Sequence, residues 1–271
     1  MKNSVPFGAI ATASVILERH MKFRLKAFGL HLLGSATVLT LALGSLYLGW
    51  YHWPGWYLAD VPHVLTVLVG VDLVLGPLLT LIVANAKKPR RELVRDIAII
   101  VAVQLSALVY GSSALWAGRP LYYALSEDCL QVVQANDIDP GELALARGQH
   151  SQFAPRWYSV PRWVWVPLPL DPDERAKIVS SALQGGFDVI GMPRYFKPWD
   201  QGLPALRTQL KNVDEIRYFS PAEKKTLKQR LQAAGFATDR RDAMPLTGRR
   251  RPLLAVIDPA SLKITAIFKA T

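Results

Sequence analysis

The first 120 positions alternate between long apolar runs and short polar joints, whereas the rest of the chain carries a charge every few residues. Three runs stand out: AFGLHLLGSATVLTLALGSLYLGWY at 27–51, VLTVLVGVDLVLGPLLTLIVA at 64–84 and IAIIVAVQLSALVYGSSALW at 97–116. Each reaches the ~20 residues that a helix needs to cross a hydrocarbon core of about 30 Å. No amphipathic helices accompany them to form the outer layer of a soluble bundle. The pattern predicts three transmembrane helices within residues 21–118, followed by a water-soluble domain over 119–271. Residues 1–20 hold an apolar stretch too short for a span, without a clear signal-peptide cleavage site. Met21 opens MKFRLKAFGLHLL, a natural start with a basic lead-in, so 1–20 reads as a disordered extension or a mis-assigned start.

Beyond the third run, LYYALS and CLQVVQ are separated by Glu127 and Asp128 and read as a hairpin, as do PLLAVI and LKITAIF around Asp258-Pro259-Ala260-Ser261. Three helix starts share one grammar. Asp139-Pro140, Asp171-Pro172 and Ser220-Pro221 each put a capping side chain ahead of Pro at the first helical position, with Glu142, Glu174 and Glu223 close behind. Gly185-Gly186 and Gly235 suit the left-handed ends of the second and third helices. The expected fold is a compact α+β domain with an antiparallel sheet. Cys129 is the only cysteine, so no internal disulfide supports it, and it reads as a buried strand residue.

Charge adds a direction. Lys22, Arg24 and Lys26 precede the first run, and Lys87, Lys88, Arg90, Arg91 and Arg95 lie between the second and third. The joint HWPGWYLADVPH contains no Lys or Arg but does contain Trp53, Trp56 and Tyr57. Basic short loops stay cytoplasmic, and Trp and Tyr settle at interfaces. The N-terminus is then expected inside and the 119–271 domain outside, which in a Gram-negative cell means an inner-membrane protein with a periplasmic domain. From Pro120 onward, 21 Lys and Arg face 16 Asp and Glu, so much of the net +11 lies beside the spans. That excess follows topology, which argues against nucleic acid and for anionic lipid headgroups as partner of the basic loops.

The residues offer little catalytic chemistry. Five scattered His and one Cys lack metal-ligand spacing, and neither a phosphate-binding Gly loop nor a G-x-S-x-G is present; no cofactor is expected and the chain is not expected to be an enzyme. Asp72, in the middle of the second run, is the exception. An aspartyl dyad would need a second carboxylate within a few ångströms, but Asp60 and Asp96 fall at opposite boundaries. A three-span transporter resting on one acid is equally thin. Asp72, Gly76 and Thr80 instead form an i, i+4, i+8 stripe that lets another helix approach, with Pro77 disturbing the helix beside it. In the third run Val103, Ala107 and Gly111 form a similar line with Gln104 beside it. Counting depth from the span ends puts Ser106 and Tyr110 within a turn of Asp72, as hydrogen-bonding candidates. The stripe can serve as glue inside the bundle or as a seat for a guest helix.

GVDLVLGPLLTLIV (70–83), KKPRRELVRDIAII (87–100) and VQLSALVYG (103–111) resemble the TfpX/TfpZ-type family of type IV pilin accessory proteins, and MKFRLKAFGLHLLGS is similar to that family's opening. The resemblance is strong over about 21–125 and looser in the exported domain. It implies a chaperone-like role in handling the pilin subunit, a protein held in the inner membrane by an apolar N-terminal helix, and contact with other pilus-assembly proteins. It carries over no functional residues. The other class open at this point is a membrane-anchored sensor or scaffold whose outer domain binds a ligand.

Overall fold

The computed structural model describes residues 7–270, with side chains from Glu18 on. The chain divides into two compact units, one of 1–46 with 62–115 and one of 47–61 with 116–271.

The first unit is helical. Helix α1, Phe7–Leu46, runs on as a π-helical turn at Tyr47–Tyr51. It thus covers 7–20, part of the stretch that reads in the sequence as a disordered extension or a mis-assigned start; residues 1–6 lie outside the described residues. The second run is α3, Val61–Val69, a π-helical segment Gly70–Leu75 and α4, Gly76–Val83; the third is α5, Arg90–Ala117. All three are long and apolar enough to cross a membrane. The third begins earlier than its apolar run because good helix formers such as Arg91, Glu92 and Arg95 prolong a helix outside its apolar part. Between α4 and α5 the chain turns tightly: Asn85 Oδ1 accepts from Lys87 N at 3.0 Å, and Lys88 pairs with Asp96. Arg24 Nε donates to Ala84 O at 2.8 Å, setting a cation on a free carbonyl at the end of α4.

The second unit holds a seven-stranded sheet in the order β4-β3-β1-β2-β5-β6-β7. The strands are β1 (Pro120–Leu125), β2 (Leu130–Gln134), β3 (Arg162–Trp165), β4 (Lys197–Pro198), β5 (Ala243–Thr247), β6 (Leu253–Ile257) and β7 (Ile264–Lys269). Both expected hairpins form, as β1/β2 and β6/β7. The sheet is mixed, however, not antiparallel: β3 runs parallel to β1, and β5 parallel to β2. Parallel neighbours need a long crossover, and those crossovers carry the helices. Helix α6 (Pro140–Gly148) lies between β2 and β3, while α7 (Pro172–Leu183), α8 (Leu203–Gln209) and α9 (Pro221–Ala233) lie between β3 and β5. The caps are as the grammar implied. Asp139 accepts from Gly141 N and Glu142 N, Asp171 from Asp173 N, and Ser220 and Glu223 close a reciprocal capping box. Gly185 and Gly235 take positive φ just past α7 and α9. Edge strand β4 is two residues long and includes Pro198, which suits an unpaired edge.

Residues 47–61, which read as a bare connection, are built into this unit. Leu58 in α2 (Gly55–Leu58) is fully buried with Leu130, Met244 and Leu253, and its carbonyl accepts from Arg249 N at 2.7 Å. Asp60 pairs with Arg250 at 2.6 Å. Gly248 is required here, since a Cβ would lie 2.7 Å from Leu58 O and 2.8 Å from its Cβ. Cys129 is buried in the turn just before β2 rather than within a strand.

Candidate functional site

The site grows from the interruption in the second long apolar helix. Pro77 has no N–H for the carbonyl four residues back. The helix widens to a π turn over Gly70–Leu75, and Gly76 N bonds to Val71 O, five residues back. Such turns recur at functional sites, and this one contains Asp72. Asp72, Gly76, Pro77 and Thr80 are all buried. The stripe therefore faces protein, and what meets it is Gln104 of α5. A Cβ at Gly76 would overlap the Gln104 side-chain amide, and farther along the same seam a Cβ at Gly111 would lie 2.6 Å from Leu68 Cδ2.

Gln104 is the hub of a short polar chain. Its Nε2 donates to Asp72 O at 3.0 Å and lies 3.4 Å from Ser35 Oγ. Its Oε1 is 2.6 Å from His31 Nε2, and His31 Nδ1 is 2.5 Å from Thr80 Oγ1. With both amide hydrogens used as donors, Oε1 must accept. His31 Nε2–H therefore donates to it, and Nδ1 shares a hydrogen bond with the Thr80 hydroxyl. In low-dielectric surroundings such bonds link helices firmly. Asp72 itself is less well served: its Oδ2 is buried and meets no hydrogen-bond partner among the described residues.

Above this floor an open groove of about 680 Å³ lies between α1 and α5, with walls that include Leu30, Gly34, Val38 and Leu105. Asp72, His31, Thr80 and Gln104 form its polar base. A Cβ at Gly34 would meet nothing within 4 Å, so the α1 wall is open there. The groove offers a largely apolar surface, with the Asp72 carboxyl buried at its floor. Among the described residues no three His, Cys, Asp or Glu side chains group as a metal ion would require.

The structure brings some of the residues singled out in the sequence together and leaves others apart. Gln104 and Gly111 are buried and Ala107 is half-buried, but Tyr110 is 79% exposed and Val103 61% exposed. Ser106 bonds its own helix at Ala102 O. Depth counting ignores azimuth: at about 100° per residue, Gln104 and Gly111 nearly align, whereas Tyr110 sits roughly 120° away from Gln104. His31 and Ser35 were missed. Their signal was available, since His31 is as foreign to its apolar run as Asp72 is, and Ser35 follows at i+4.

Fold and site together define a two-unit protein, three helices of spanning length and apolarity with a polar seam and a groove, joined in sequence to a mixed-sheet unit. The chain is similar to the fimbrial assembly protein, serogroup I, of Dichelobacter nodosus: 28% identical over 249 residues, covering 92% of this chain and 95% of the relative. The serogroup E1 protein of the same organism is 26% identical over the same shares. The protein of serogroups C1 and C2 is 32% identical over 129 residues, 48% of this chain and 98% of the relative. The chain belongs to this family of fimbrial assembly proteins. No family profile and no solved structure matches it.

Proposed function

We propose that this protein is a non-enzymatic, chaperone-like accessory protein of type IV pilus assembly, of the TfpX/TfpZ type, that holds a pilin subunit by its apolar helix before or during assembly. The observation that carries this reading is the groove with the unpaired Asp72 Oδ2 at its base. A buried polar atom without a partner is costly, and an apolar helix bringing one hydroxyl, amide or amine to that depth would satisfy it. The relatives' names supply the process, and the groove supplies a way to take part in it without chemistry.

In this reading the three helices span the bacterial inner membrane. The N-terminus and the 84–90 turn are cytoplasmic, where their Lys and Arg meet anionic headgroups, and the sheet unit is periplasmic. The two-unit division supports this side assignment: 47–61 and 116–271 share one compact body, so they share one face of the membrane. Other pilus-assembly proteins contact the sheet unit.

The test is in-cell photocrosslinking from position 34, which opens on the groove. A pilin adduct that is lost when pilin's apolar helix is altered is the expected result. Absence of the adduct from a stably expressed variant that still supports piliation would overturn the groove reading. A sensor or scaffold role predicts instead that deleting the gene leaves surface pili unchanged.

A further inference from the structure

The sheet unit carries an aromatic and basic loop that the groove does not use. Between α6 and β3, Trp157 is 70% exposed, Tyr158 51% and Val160 58%. The loop is fastened, not loose. Phe153 is buried and its carbonyl accepts from Tyr122 Oη at 2.8 Å, while Arg156 N donates to Ser159 Oγ at 2.8 Å. Trp157 and Tyr158 meet edge to face at 5.4 Å, and Arg156 Nη1 donates to Tyr158 Oη at 2.7 Å. With Arg147 and His150 they surround a cavity of about 470 Å³.

The position of this loop is set by Trp50, whose Nε1 donates to Ser159 O at 2.6 Å. Trp50 lies at the end of the first spanning helix and packs edge to face, at 4.9 Å, on Trp116 at the end of the third. Tryptophans at span ends mark the headgroup level of a bilayer. Trp157 is two residues from Ser159, so its backbone is within about 7 Å of that point. Exposed Trp and Tyr with an apolar body and a polar tip, beside Arg and His, match the zone where acyl chains give way to phosphates.

We infer that the end of α6 and the loop after it, 147–160, form a second membrane contact, in which Trp157 and Tyr158 enter the headgroup region of the outer leaflet while Arg147, His150 and Arg156 bind lipid phosphates. The inference rests on the reading of the three helices as membrane spans. It commits the loop to phospholipid rather than to a protein partner, because the loop is continuous with the Trp50–Trp116 pair at the span ends.

The full chain, with Cys129→Ala removing its only thiol, would be reconstituted in phosphatidylcholine–phosphatidylglycerol vesicles with an environment-sensitive fluorophore at Trp157→Cys or at Tyr110→Cys. Lipids with a nitroxide on the headgroup or in mid-chain, and aqueous iodide, serve as quenchers. The expected result is loss of emission at 110 to the mid-chain nitroxide and at 157 to the headgroup nitroxide, with 157 shielded from iodide. Quenching at 110 as expected, but at 157 by iodide alone, would overturn the loop inference and leave the spanning reading intact. Failure of lipid quenching at 110 would overturn the spanning reading beneath both. Adding Arg147→Glu and Arg156→Glu should shift the 157 emission to that of a water-exposed label; an unchanged spectrum would refute the phosphate contact.

Discussion

Gly76 and Gln104 form a pair whose coupling can be worked out before it is measured. Gln104→Ala removes three contacts, to His31, to Asp72 O and to Ser35. Interhelical hydrogen bonds among membrane helices average about 0.6 kcal/mol each, which suggests a cost of roughly 2 kcal/mol. Gly76→Ala places a methyl where the Gln104 amide sits. Overpacking of that kind typically costs about 1–3 kcal/mol, because an amide held at both ends cannot easily swing aside. The double variant should cost less than the two together. Once the amide is gone, the methyl added at position 76 fills part of the space it left, and a coupling of at least about 1 kcal/mol is expected between residues in such contact. The assay places a cysteine at Leu68, which is 2% exposed on the same seam, in a Cys129→Ala background. Its alkylation rate in micelles reads how often the bundle opens. Additivity within about 0.5 kcal/mol would refute the packing described here, and so would an equal loss in Tyr110→Leu, whose ring points away from the seam.

Four further expectations concern the sheet unit. Ser220→Ala should destabilise the start of α9 by about 1 kcal/mol, seen as faster amide exchange at Glu223 N. The Ser220 backbone N–H, and then its hydroxyl, hold the Glu223 carboxyl below the usual glutamate range. A depressed folded-state pKa means that this stabilisation is present above the ordinary glutamate value and lost as pH falls through the folded one. The difference in α9 exchange between wild type and Glu223→Gln should therefore be visible at neutral pH and vanish in acid; a difference that grew in acid would refute the sign. Gly248→Ala should loosen the 47–61 segment from the sheet by pushing on Leu58, so that limited proteolysis cuts within 52–56 much faster than in wild type. Burial pushes the Cys129 thiol up, so native protein should alkylate far more slowly at Cys129 than unfolded protein does.

Local patterns could be read without a structure wherever one residue's chemistry decides them. Capping by Asp139, Asp171 and Ser220 depends on side chains reaching amides two or three residues away, and the two hairpins depend on turns of a few residues. The three long helices follow from apolar length alone. That Asp72, Gly76 and Thr80 lie on one face was also legible, because spacing by four residues fixes a common face on any helix. Tertiary structure decided which face of a neighbour meets it. Depth along α5 does not determine azimuth, so Gln104 and not Tyr110 reaches the stripe, and His31 enters from α1 across 73 residues of sequence. The parallel pairings of β3 and β5 and the capture of Leu58 by the sheet are likewise long-range, with nothing in the local sequence to specify them. Periodicity records what each segment must bury; only packing determines what it is buried against.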